Sequence, residues 1–143
     1  MNIGPVYIDH IGIATNNMEE GSRFWQLLGL SQRPEDETVE EQGVTTRFFS
    51  TMKSPENTPA PKIELLLPTG ADTPVGRFLD KRGPGIQQLC LSVSDLQTVL
   101  DHLKSYDIQL IDEKPKVGAG GKLIAFVHPK STGGVLVELT QHR

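Results

Sequence analysis

A histidine, a glutamine and two glutamates stand inside short apolar runs, where polar groups are costly. His10 lies in Ile8-Asp9-His10-Ile11-Gly12-Ile13-Ala14-Thr15, and Gln88 in Ile86-Gln87-Gln88-Leu89-Cys90-Leu91-Ser92-Val93. Glu64 sits in Lys62-Ile63-Glu64-Leu65, and Glu138 in Leu136-Val137-Glu138-Leu139. Buried carboxylates are normally paired or metal-bound, because an unpaired charge in a core is expensive. One imidazole nitrogen and three oxygens suit a six-coordinate divalent ion with positions left for water, such as manganese, cobalt, nickel or iron. A thiolate-held structural zinc site would need a different donor set. On strand parity alone, the two glutamates could equally face solvent from a half-exposed sheet.

An internal repeat argues for convergence. A shift of 78 residues places His10 on Gln88, and a shift of 74 places Glu64 on Glu138. The first pair of runs alternates with period 2, as strands do, so Ile8, His10, Gly12 and Ala14 share one face, and Ile86, Gln88, Cys90 and Ser92 share another. Each run leads into a helical pattern. Asn16-Asn17-Met18-Glu19 and Ser94-Asp95-Leu96-Gln97 read as capping boxes. The following stripes are Met18, Phe24, Trp25 and Leu28, stopping at Gly29, and Leu96, Val99, Leu100 and Leu103. Further strands are expected near Glu35–Gln42 and Thr45–Ser50, and near Gln109–Lys116 and Lys122–His128. The change of shift implies four extra residues in the first half, assigned to the Pro-rich stretch Ser54–Pro61.

The expected fold is therefore α+β. Two tandem βαβββ modules, about residues 6–68 and 85–141, form a single domain over 1–143. A short helix over 73–83 joins them, with Thr73 as cap, Pro74 in its first turn and Gly83 past its end. With 143 residues a chain can bury enough surface for a core without disulfides. The net charge of −4 argues against a partner gripped through nucleic-acid phosphates. No apolar run approaches the ~20 residues of a membrane helix. A single cysteine, Cys90, excludes an intrachain disulfide, and no signal peptide is visible, so the expected location is cytoplasmic.

The chain from Ile8 to Gln141 resembles the methylmalonyl-CoA epimerases of the glyoxalase, or vicinal-oxygen-chelate, superfamily. The likeness rests on Asp9-His10-Ile11-Gly12-Ile13-Ala14, Glu41-Gln42-Gly43-Val44, Lys62-Ile63-Glu64-Leu65-Leu66, Gly118-Ala119-Gly120-Gly121-Lys122 and His128 through Leu139. The last two segments are the more characteristic. The resemblance implies a curved, cupped mixed sheet around a central metal held by His10, Glu64, Gln88 and Glu138. It also implies a cobalt, manganese, nickel, iron or zinc ion as cofactor, an acyl-CoA thioester as substrate, and a homodimer. The implied reaction is epimerisation at C2 of methylmalonyl-CoA through an enolate, with Glu138 and Glu64 as catalytic residues. Gln42, Gly120, Gly121, Lys130 and Ser131 are the implied substrate contacts. The chain departs from the family at two positions. Gln87-Gln88 replaces the family's His-His, and Thr46 stands where some members carry a catalytic glutamate.

Two other readings use the same scaffold. One is a glyoxalase I-type lyase, and the other a metal-free small-molecule binding protein of the resistance type, which Gln88 would suit. An extradiol dioxygenase wants two histidines and a carboxylate on iron, and only His10 is available. The remaining polar and aromatic residues take plain roles. His128 ends a strand, His102 lies on the polar side of a helix, and His142 is in the tail. Cys90 and Trp25 pack, and the acidic run from Glu35 to Glu41 is a solvated edge.

Overall fold

The computed structural model describes residues 3–51 and 60–142. It contains strands β1 (Tyr7–Ala14), β2 (Ser31–Gln32), β3 (Glu37–Val39), β4 (Val44–Ser50), β5 (Lys62–Pro68), β6 (Gly85–Val93), β7 (Lys116–Val117), β8 (Leu123–Val127) and β9 (Val137–Gln141), with helices α1 (Met18–Leu27), α2 (Pro74–Arg82) and α3 (Leu96–Lys104). Contacts divide the chain into two compact units, His10–Gln87 and Met1–Asp9 with Gln88–Arg143. The division falls inside β1 and β6 rather than at the connecting helix.

In the unit His10–Gln87 the strand order is β2-β4-β5-β1, and β3 also pairs with β4. β1 and β5 run parallel, with Gly12 beside Glu64, while β4 and β5 run antiparallel, with Phe48 beside Glu64. The other unit has the order β6-β9-β8-β7. There β6 and β9 run parallel with Cys90 beside Glu138, and β8 and β9 run antiparallel with Phe126 beside Glu138. The two registers correspond residue for residue at the repeat shifts. The four extra residues must therefore lie between Phe48 and Glu64. The loop assigned to them falls mostly outside the described residues.

Helix α3 shows how this pattern becomes packing. Leu96, Val99 and Leu100 are buried and meet Val93, Ala125, Val127 and Leu139 from the sheet. Leu100 is wholly buried. Leu100→Ala is expected to cost about 2–5 kcal/mol, because the lost contacts leave a cavity that the sheet cannot close. Chemical denaturation would measure this; a loss under about 1 kcal/mol would show that the helix is not anchored there.

Helix α1 differs from its expected stripe. Phe24 and Leu28 are mostly exposed, at 62% and 61%, and the buried residue is Ser22. Arg47 explains this arrangement. Its guanidinium donates to Ser22 Oγ at 2.9 Å and to both Asp36 oxygens at 2.8 and 2.9 Å. That polar clamp anchors the helix by Ser22, about 160° around its axis from Phe24. Hydrogen bonding to Asp36 raises the Arg47 pKa further above its ordinary value.

Both helix caps lie one residue later than the capping boxes suggested. Asn17 accepts from Glu20 N at 3.0 Å, and Asp95 from Thr98 N at 3.1 Å. The preceding loops are held by other bonds. Thr15 Oγ1 bonds the backbone of Asn17, and Ser94 Oγ bonds His142 Nε2. α2 begins and ends as expected: Thr73 accepts from Gly76 N at 3.0 Å, and Gly83 has φ 72°.

The strand expected over Glu35–Gln42 is only Glu37–Val39, followed by a 3-10 turn over Glu40–Gln42. Gly43 ends the turn at φ 65°, where a Cβ would stand 2.4 Å from Thr73 Cγ2. The strand expected over Gln109–Lys116 is reduced to a bridge at Leu110 and the two residues of β7. Asp112 is the reason, since its carboxylate accepts the Phe126 N–H at 2.8 Å in place of a backbone carbonyl. Pro115 has no N–H to offer. No helix of the described residues is long and apolar enough to cross a membrane.

Candidate metal centre

The register places a glutamate in the middle of each parallel strand pair, between Gly12 and Phe48 in one and between Cys90 and Phe126 in the other. In the unit His10–Gln87, His10 Nε2 lies 3.0 Å from Glu64 Oε1, with the two side chains 8% and 5% exposed. The Phe48 ring meets the His10 ring edge-to-face, with centroids 5.6 Å apart. In the other unit, Gln88 Nε2 donates to Glu138 Oε1 at 3.0 Å, and both residues are buried. The four residues expected as one ligand set thus stand in two buried pairs, one per unit.

The donor chemistry of each pair fits a divalent ion. Two ligands about 2.1 Å from an ion, at right angles about it, stand about 3 Å apart, the spacing of His10 Nε2 and Glu64 Oε1. An imidazole nitrogen and carboxylate oxygens suit late first-row divalent metals. Gln88 presents its amide nitrogen to Glu138; turning the amide over would present the carbonyl oxygen, which is the atom able to ligate.

The five implied substrate contacts are distributed along the chain. Gln42 ends the 3-10 turn before β4, and its Nε2 is buried with no hydrogen-bond partner among the described residues. Gly120 and Gly121 adopt φ of 68° and 71° in the turn before β8, with open space where a Cβ would be. Lys130 is exposed. Ser131 Oγ accepts Gln109 N–H at 2.8 Å, so it also ties that backbone down. Thr46, at the position of the family's additional glutamate, is 2% exposed, and its hydroxyl donates to Glu37 O at 3.3 Å.

Other polar side chains have structural partners. His128 Nδ1 accepts Lys130 N–H, and His142 is held by Ser92 at 2.7 Å and by Ser94. Cys90 is fully buried. Phe48 and Phe126 were missed at the sequence level. They are related by the same shift of 78 that relates His10 to Gln88, so their equivalence was available in the repeat.

Duplicated modules with a buried glutamate at the same register of each define an α+β fold of the vicinal-oxygen-chelate type. The chain belongs to the glyoxalase/bleomycin resistance protein/dioxygenase superfamily, whose profile matches residues 9–126. It is 41% identical to an uncharacterised Bacillus subtilis protein, over 94% of this chain and 91% of that one. It is 39% identical to the mitochondrial methylmalonyl-CoA epimerase of Dictyostelium discoideum, over 97% and 80% of the two chains. Among solved structures, the Streptomyces coelicolor methylmalonyl-CoA epimerase in complex with 2-nitronate-propionyl-CoA is 30% identical, with a TM-score of 0.87 over 94% of this chain and 93% of that one. The fold class expected from the sequence, and the resemblance to these epimerases, are thereby established.

Proposed function

We propose that the chain is a metal-dependent epimerase acting at C2 of methylmalonyl-CoA. One observation carries the reading. Two glutamates at equivalent register positions are buried, each 3.0 Å from a buried nitrogen of His10 or Gln88. Similarity to methylmalonyl-CoA epimerases over nearly the whole chain supports the choice of substrate.

His10, Glu64, Gln88 and Glu138 would hold the ion. When bound, it would supply Lewis-acid stabilisation of negative charge on the substrate oxygens. The C–H bond at C2 lies between a thioester and a carboxylate, so its electrons can move into the thioester carbonyl when a base removes the proton. Epimerisation then needs a proton delivered to the opposite face. Glu138 is assigned to one face and Glu64 to the other. Their burial excludes water, which would otherwise compete with the carboxylates for the proton and screen the charge that develops.

The test is a coupled epimerase assay on apo-protein restored with cobalt, manganese, nickel, iron or zinc. Turnover of methylmalonyl-CoA, and none of the glutathione hemithioacetal of methylglyoxal, is the expected result. Failure with every metal would refute the proposal. If the protein also takes up no cobalt, the metal-free binding reading is favoured instead.

A further inference from the structure

We infer that Arg33 is a binding residue for an anionic group of the substrate; this rests on the acyl-CoA reading above. The argument begins with Phe48, which is the cross-strand neighbour of Glu64 and meets the His10 ring edge-to-face. Arg33 Cζ stands 4.7 Å from the centre of the Phe48 ring. The Arg33 N–H also donates to Phe48 O at 2.9 Å, so backbone and side chain are both fixed on this one residue. The guanidinium is thereby held one aromatic ring away from the His10–Glu64 pair, and it is exposed. An aromatic face orients an arginine without using its N–H donors.

The second unit supplies an internal comparison. Phe126 is the cross-strand neighbour of Glu138, as Phe48 is of Glu64. Lys116 Nζ stands 5.2 Å from the centre of its ring. A cation over a phenyl ring beside the buried glutamate is therefore present in both units. They differ in what neutralises the cation. Lys116 pairs with Asp112 at 3.2 Å, whereas no carboxylate of the described residues pairs with Arg33. Arg47 in the same unit is held by Asp36, and Arg77 by Asp72. Arg33 thus keeps an uncompensated charge and its donor fork, the chemistry that recognises carboxylate or phosphate oxygens.

Both groups occur on an acyl-CoA of a dicarboxylic acid, and the experiment separates them. Wild-type protein, R33Q, R33K and K116Q are titrated calorimetrically, with cobalt present, against three thioesters. Methylmalonyl-CoA carries both groups, methylmalonyl-pantetheine lacks the nucleotide phosphates, and propionyl-CoA lacks the free carboxylate. R33Q is expected to bind methylmalonyl-CoA about tenfold or more weakly, as loss of a charge-assisted hydrogen bond does. R33K should recover part of the loss, and K116Q should match the wild type. If the anion is the carboxylate, the loss recurs with the pantetheine ester and vanishes with propionyl-CoA; if it is a phosphate, the pattern reverses. Either pattern supports the inference. Equal affinities of R33Q and wild type for all three, an equal loss in K116Q, or no binding of any thioester to the wild type overturns it. Because binding is read without turnover, a wild type that binds but does not epimerise counts against the proposed reaction alone.

Discussion

Glu138→Gln is expected to slow deuterium wash-in at C2 of one epimer of methylmalonyl-CoA by about a thousandfold, the range over which a positioned acid or base acts, while the other epimer still exchanges. The substitution is nearly isosteric. It preserves an acceptor oxygen for the Gln88 amide, which donates to Glu138 Oε1 at 3.0 Å in the native protein. What it removes is the group able to take and return a proton. Thermal unfolding of the variant should therefore stay close to the wild type while that exchange collapses. Glu64→Gln should be tested beside it. With one base per face, the Glu64 variant should lose exchange of the opposite epimer, and neither variant should interconvert the two. Exchange and epimerisation at the wild-type rate in Glu138→Gln would remove Glu138 from the reaction.

Gln88→His is expected to tighten cobalt binding by about tenfold or more, because imidazole is a better ligand than an amide oxygen for late first-row ions. Gln88→Ala should weaken binding by a comparable factor and also lower stability. It would leave a buried Glu138 carboxylate without its amide donor, at a cost of about 1–3 kcal/mol. Titration of apo-protein, followed by the visible absorption of cobalt, reads the affinity without any substrate. Indistinguishable affinities in the native protein and both variants would mean that residue 88 does not ligate. The pair of variants matters because Gln88 is where the chain departs from the His-His of the epimerases it resembles. An amide must turn to present its oxygen, and doing so exchanges a bond to Glu138 for a bond to the ion.

Much of this architecture was legible in the residues. The repeat shifts of 78 and 74 reappear in the registers, where Gly12 and Phe48 flank Glu64 as Cys90 and Phe126 flank Glu138. Period-2 alternation placed His10 and Gln88 on buried strand faces, and the stripe of Leu96, Val99 and Leu100 on α3 is buried as expected. Thr73 and Gly83 bounded α2 correctly. These features are local: each depends on side-chain periodicity or on a cap within a few residues. Helix α1 misled because an apolar stripe does not reveal a competing polar contact. Arg47, 25 residues beyond Ser22, holds the Ser22 side of the helix against the sheet, which leaves Phe24 and Leu28 on the other side exposed. The strand expected over Gln109–Lys116 failed for a related reason, since the Asp112 carboxylate replaces a backbone acceptor.

The sequence by itself determined which residue types stand in the apolar strands, and that two halves of the chain share one plan. That is enough to nominate His10, Glu64, Gln88 and Glu138. Only the tertiary structure decided which of them face each other, pairing His10 with Glu64 and Gln88 with Glu138 at 3.0 Å. It also showed that the cation over Phe126 is neutralised by Asp112, while Arg33 over Phe48 has no carboxylate partner among the described residues. The physical reason is range. Periodicity and capping are set by neighbours along the chain, whereas the spacing of donors and the compensation of charge depend on strand register and on side chains brought together from distant positions.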